Sequence, residues 1–363
     1  MFLALHDLRR GMRRFALVAV VVALVATLST VLAGLADGLV RDGTSGLRRL
    51  PATHLAFAPH SGGVFSRSVL GPDAIQTWVE QPGIDASPLG MSFVNAASTN
   101  GGPSLDLALF GVAPDSFLLP NAEARKAMAG EPGLVLAEEL RDEGVKVGDR
   151  YRVAGSDFDL PVLGFTFAGS YGHVPIAYVP LATWQELTYG SDARDRVSAI
   201  ALRNLGDTNI AGVDTNAGTE TITKQAAYAG SPGFSAETAT MTLIRGFLLV
   251  IAAMIIGAFF TVLTVQRTRQ IGLLKALGAS TWYVLRDGVG QMTLLVVVAT
   301  AIGTAAGAAV VAVLQGGPVP VELTASTVLT SAVALVVAGV LGSLVSMRRI
   351  ARVEPVVALG TEI

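Results

Sequence analysis

The residues able to do chemistry in this chain are few and far apart. His54, His60 and His173 are scattered at intervals that match no His-Glu-x-x-His zinc motif. No Gly-x-Ser-x-Gly nucleophile elbow and no metal-loop spacing of carboxylates occurs either. Ser170, Tyr171 and His173 sit beside Gly169 and Gly172, which reads as a glycine-rich loop more than as a nucleophile with its base. The 363 residues include no cysteine, which excludes disulfides, thiolate metal sites and cysteine nucleophiles within the chain. The phosphate-cradling Gly-x-x-x-x-Gly-Lys-Ser/Thr loop is also absent from the sequence, so any ATP must be hydrolysed by another polypeptide. A hydrolase reading has no constellation to stand on.

Composition points to membrane segments: 51% of the residues are hydrophobic and only 15% charged. A bilayer core needs roughly 20 apolar residues per helix. Four stretches qualify: Phe15 to Leu35, Phe247 to Val265, Val289 to Leu314, and Thr327 to Val345. The first is longer than a signal-peptide core and is followed by no convincing cleavage site, so it reads as an anchor. Basic residues cluster at Arg9, Arg10, Arg13 and Arg14, at Arg267, Arg269, Lys275 and Arg286, and at Arg348, Arg349 and Arg352, which predicts that these three regions are cytoplasmic.

The layout expected is therefore a cytoplasmic amphipathic helix over 1–14, a first membrane helix over 15–40, an extracellular domain over 41–240 and a second membrane helix over 241–265. A cytoplasmic segment over 266–286, a third helix over 287–314, a short external loop over 315–323, a fourth helix over 324–347 and a cytoplasmic tail over 348–363 complete it. The fold class is a multi-pass α-helical membrane protein with a large α+β extracellular domain between helices 1 and 2. The external segment carries 14 Lys/Arg against 22 Asp/Glu, an acidic balance that argues against nucleic acid. Within it, Gly133 to Leu140, Lys146 to Val153, Asp159 to Phe165 and Val174 to Leu181 read as strand, helix, turn and three further strands, with Gly148 and Asp149 suited to the turn backbone.

The run Thr264-Val-Gln-Arg-Thr-Arg-Gln-Ile-Gly-Leu-Leu-Lys-Ala-Leu-Gly-Ala-Ser resembles the cytoplasmic coupling helix of the MacB/FtsX class of ABC permeases. Ile271, Leu274 and Leu277 fall on one helical face, Arg269 and Lys275 remain free to meet a polar cleft, and Gly278 ends the helix. Gln270 departs from the pattern, in which many members carry Glu. The tail Arg348-Arg349-Ile-Ala-Arg-Val-Glu-Pro-Val and the Val-Gly-Asp turn at 147–149 fit the same resemblance. It implies two permease copies on two separate ATPase subunits, in the plasma membrane of a bacterium, with both termini inside and no catalysis by the permease itself. Gly34 and Gly38 form a Gly-x-x-x-Gly pair that hints at dimer packing. Gly303 and Gly307 form another, and either pair could instead pack within one chain.

The membrane segments lack the buried carboxylates and lysines of ion pathways, which suits an amphipathic or lipid-soluble cargo. The segment Ser231-Pro-Gly-Phe-Ser-Ala-Glu-Thr-Ala-Thr-Met, with Gln270, is similar to the haem-efflux branch of that superfamily, the heme-regulated transporter permeases. This implies haem as substrate and no intrinsic cofactor or metal. Ser235 can cap the second helix, which places Glu237 and Met241 at i and i+4 as oxygen and thioether donors toward haem iron. Arg41, Arg48, Arg49 or Arg245 could hold propionates. The structural alternative is that Glu237 merely meets the helix dipole, Met241 packs, and the arginines meet lipid headgroups. Other functions stay open: export of a lipid, lipopeptide or antibiotic, or a signalling subunit that activates a cell-wall hydrolase.

Overall fold

The computed structural model describes residues 12–190, 195–266, 273, 277–278, 280–317 and 319–351. The expected N-terminal amphipathic helix lies almost wholly outside them, as do the end of the C-terminal tail and about half of the cytoplasmic segment. Two compact units result: Met1–Leu39 with Glu237–Ile363, and Val40–Ala236.

The first unit is built from four transmembrane helices. They are α1 (Met12–Asp42), α9 (Phe234–Gln266), α10 (Thr281–Leu314) and α11 (Ala325–Ala351), numbered with the shorter helices given below. Each contains a span long and apolar enough to cross a bilayer: Ala16–Asp42, Phe234–Val262, Gly288–Leu314 and Ala325–Leu344. In hydrocarbon a backbone must satisfy its own hydrogen bonds, so these stretches can only be helical. Val18 and Val22 of α1, Ile256 and Phe260 of α9, and Met292, Leu295, Val296 and Ala299 of α10 form the bundle core.

Small residues set the closest approaches between these helices. An added β-carbon on Gly303 would stand 2.2 Å from the Ala23 carbonyl oxygen, and one on Gly307 2.7 Å from Thr30 Cβ. Thr27 Oγ1 donates across this seam to the Gly303 carbonyl at 3.0 Å. Gly34 and Gly38 are likewise occupied within the chain. Gly34 faces Val311 and Leu323, and Gly38 lies against the backbone at Pro320 and Val321. Within the chain, the close approach these two glycines permit is to α10 and the α10–α11 connection.

α9 begins earlier than expected, at Phe234, with Gly233 before it at φ 82°. Ser235 is thus inside the first turn and is not the cap. The polar stretch 235–242 continues the helix because nothing in it breaks one.

The second unit is a sheet-rich domain between helices 1 and 2. Its helices are α2 (Ser45–Arg49), α3 (Pro72–Val79), α4 (Ala122–Met128), α5 (Glu139–Asp142), α6 (Leu181–Tyr189), α7 (Ile210–Ala217) and α8 (Lys224–Ala227). Its strands are β1 (His54–Phe57), β2 (Asp85–Ser98), β3 (Leu105–Val112), β4 (Leu134–Leu136), β5 (Arg150–Val153), β6 (Asp159–Phe165), β7 (Ser170–Tyr171), β8 (Val174–Pro180), β9 (Ala199–Arg203) and β10 (Glu220–Thr223).

The strand order is β10-β1-β9-β2-β3-β8-β4-β6-β5, and β5 pairs back onto β2 through Ala96–Ser98. Six strands therefore close into a ring, with β3–β8 and β4–β6 parallel. Side chains alternate with the period of two that a strand imposes. Leu107, Leu109, Leu136, Tyr151, Leu160, Val162 and Val179 fill one cluster, to which every strand of the ring contributes. Phe110, Tyr178, Val135 and Ile176 turn the other way, against α2, α4 and β1. At the expected turn, Gly148 adopts φ 94° and the Lys146 amide donates to Asp149 Oδ2 at 2.8 Å. These two residues do backbone work.

Candidate functional site

Glu237, Met241 and Arg245 lie four residues apart along the first turns of α9. All three are half-buried, while Thr238, Ala239, Thr240, Thr242 and Leu243 between them are exposed. One stripe of the helix thus carries a carboxylate, a thioether and a guanidinium in order. Glu237 falls in the first turn, where the unpaired amides favour an anion. Arg245 Nη2 donates to the Ala33 carbonyl of α1 at 3.0 Å, and its Nε is buried with no hydrogen-bond partner. Asp37 on α1 accepts from Thr324 Oγ1 at 3.4 Å, so the same end of the bundle also holds an anchored carboxylate.

The remaining arginines belong to the sheet domain. Arg41 is exposed in the last turn of α1. The Arg48 guanidinium stacks over Tyr228 at 4.4 Å and its Nε donates to Thr44 Oγ1, and Arg49 stacks over Phe167 at 4.6 Å. Arg48 and Arg49 thus already have partners inside the domain.

Arg269, Gln270, Ile271, Leu274 and Lys275 lie outside the described residues. Between α9 and α10, Leu277 is 78% exposed. Its amide donates to the Leu273 carbonyl at 3.0 Å, the i to i−4 bond of a helical turn. Gly278 follows at φ 96°, the left-handed conformation in which helices commonly stop.

His173 Nδ1 lies 2.9 Å from Asp42 Oδ2, and Ser170 Oγ 3.1 Å from Asp42 Oδ1. Ser170 and His173 thus share one carboxylate. No group of three or more metal-ligating side chains occurs among the described residues. The Asp42 cluster escapes sequence reasoning because its members are about 130 residues apart. No spacing rule reaches that far.

The described residues thus hold four helices long and apolar enough to cross a membrane and a sheet-rich domain between the first two. Residues 242–355 match the FtsX-like permease C-terminal family. Over 99% of its length the chain is 23% identical to a hemin transport system permease protein, HrtB, of Staphylococcus haemolyticus, 99% of which is covered. A protein of the same name from Staphylococcus epidermidis is also 23% identical, with 99% of each chain covered. A crystal structure of the extracellular domain of the ABC-type transporter YknZ from Gram-positive bacteria aligns with 47% of this chain and 98% of its own, at 12% identity and a TM-score of 0.34.

Proposed function

We propose that this chain is the membrane subunit of an ATP-driven efflux complex in a bacterial plasma membrane, exporting haem with energy supplied by a separate ATPase. The observation that carries the reading is the end-to-end similarity to relatives named as hemin transport permeases, reached independently of the Glu237–Met241–Arg245 stripe. The stripe has the chemistry that haem asks for. Carboxylate and thioether donors at i and i+4 can approach an iron centre, and a guanidinium one step further along can take a propionate in a charge-assisted hydrogen bond.

Its place also fits an amphipathic substrate. The apolar span Phe234–Val262 has 29 residues. At 1.5 Å each that is about 43 Å, against roughly 30 Å of hydrocarbon, so its first turns reach the headgroup layer. A haem lying there would keep its ring in lipid and its propionates in the interface. In this reading both termini are cytoplasmic, the sheet domain is extracellular, and Leu277 inserts into the ATPase subunit. Two copies of the chain present the stripe twice around a planar substrate.

The test is growth. Cells deleted for this chain should become sensitive to haem, and re-expression of the chain with its ATPase should restore tolerance. Unchanged haem tolerance together with new sensitivity to a membrane-active antibiotic would replace haem with that class of cargo.

A further inference from the structure

The turn between β7 and β8 is Gly172-His173, with φ 61° and 64°, the positive values that a tight two-residue hairpin turn requires. This hairpin is fastened to the ends of two membrane spans. The span Ala16–Asp42 ends at Asp42, whose carboxylate meets His173 Nδ1 at 2.9 Å and Ser170 Oγ at 3.1 Å. The next carbonyl, that of Gly43, accepts the Gly172 amide at 2.9 Å and Ser231 Oγ at 2.8 Å. Ser231 in turn stands three residues before the span that begins at Phe234. The hairpin is thus held both where the chain leaves one span and where it enters the next.

Phe93 lies against this hairpin. Leu89, Met91 and Phe93 alternate onto one face of β2, and the first two are buried in the same core cluster as Tyr171. Phe93 emerges where that cluster ends. It is 45% exposed, and no other aromatic residue of the sheet domain is exposed among the described residues. Its ring stacks on buried Tyr171, with centroids 6.0 Å apart and planes inclined by 18°. A β-carbon added to Gly172 would stand 3.0 Å from Phe93 Cζ and 3.2 Å from Pro232 Cδ. Phe93 and the exposed Pro232 therefore flank the same glycine, and Pro232 is two residues from the start of the span at Phe234.

A single exposed apolar side chain is ordinary. One stacked in place beside the ends of two spans meets a different solvent. At the boundary of headgroups and acyl chains, an aromatic ring buries apolar area that water would otherwise cover. We propose that Phe93, with Pro232, is an interfacial anchor that seats this face of the sheet domain in the headgroup layer of the bilayer the helices cross. The occupant is phospholipid because the surface is continuous with the entry of α9, whose first turns already reach that layer. The anchor rests on the four helices spanning a membrane, and on neither the cargo nor the side on which the sheet domain lies.

Site-directed fluorescence on the full-length protein tests this, since the chain has no native cysteine. Phe93→Cys, Pro232→Cys and Val79→Cys are each labelled with an environment-sensitive fluorophore in phosphatidylcholine–phosphatidylglycerol nanodiscs. Val79 is the control: it is 50% exposed and ends α3, whose Trp78 packs with Ile200 and Leu202 on the face of β9 opposite to that of Ala199 and Ala201. Lipid carrying a nitroxide on its headgroup should quench the labels at 93 and 232 several-fold more than the label at 79. Equal quenching at all three sites overturns the anchor. So does a blue-shifted but unquenched label at 93 together with a disulfide between two chains in unlabelled Phe93→Cys, which would assign the surface to a second copy. Nanodiscs present lipid to both sides of the protein, so an inverted topology leaves the expected result unchanged.

Discussion

Gly38 packs against Pro320 so closely that an added β-carbon would stand 2.1 Å from the Pro320 carbonyl oxygen and 2.7 Å from Val321 Cα. Both obstacles are backbone, so no side-chain rotation relieves them. The contact holds the α10–α11 connection against α1, and the Glu322 amide donating to the Gly34 carbonyl at 2.9 Å secures the same seam. Gly38→Val should therefore destabilise the bundle by about 1–3 kcal/mol or more, seen as a lower thermal midpoint of the purified protein. Gly164→Ala, where nothing lies within 4 Å, is the control and should melt like the parent. Equal midpoints for Gly38→Val and the control would contradict the intrachain role.

Coupling to an ATPase predicts a different failure. Gly278 has φ 96°, which proline cannot adopt because its ring holds φ near −65°. Gly278→Pro and Leu277→Asp should each lose copurification of the ATPase subunit while membrane insertion stays normal, since neither touches a span. For Leu277→Asp the cause is a charge that must be desolvated at the contact. If either variant retains a stoichiometric ATPase, the partner-facing role of this turn is wrong.

The proposed orientation is checked by labelling, helped by the absence of cysteine. Ser104 and Ser280 are both exposed. An impermeant thiol reagent added to whole cells should modify Ser104→Cys and leave Ser280→Cys untouched. Reversed labelling would invert the topology.

Much of this architecture is legible in the sequence because lipid is a severe solvent. Four long apolar runs have no alternative to spanning helices, and Lys146–Val153, Asp159–Phe165 and Val174–Leu181 announce strands by alternation and by the turn at Gly148. The ends of elements are less legible. α9 runs 13 residues further toward its N-terminus than its apolar core suggests, since Ser235–Thr242 is polar yet compatible with a helix. The closed ring is invisible in sequence because it depends on β5 finding β2, pairing Ala96 with Val153. The stripe of Glu237, Met241 and Arg245 is readable as helical spacing, while the Asp42–His173 contact is not, being purely tertiary.

Glu139 also predicts how stability varies with pH. Burial and, after it, the neighbouring Asp42 carboxylate raise its folded value to about 7, above the ordinary 4.5, so the folded protein binds more protons between these values. Its contribution is fully present below about 4.5 and is lost as pH rises through about 7. Glu139→Gln should raise the thermal midpoint of the full-length protein at pH 8.5 and leave it unchanged at pH 4.5. An equal gain at both pH values would mean the effect is packing and not ionisation.

The central claim, that this permease takes haem at the outer turns of α9, is tested most directly by a haem titration of the purified chain followed at the Soret band. The parent should give a saturable Soret shift, and Glu237→Ala combined with Met241→Ala should abolish it while preserving the fold and ATPase binding. Loss of a first-turn carboxylate alone costs only a few tenths to about 1 kcal/mol, so mild destabilisation cannot mimic selective loss of a ligand. A double variant that binds haem like the parent would remove these two residues as ligands, and a parent that shows no shift at all would contradict haem as the cargo.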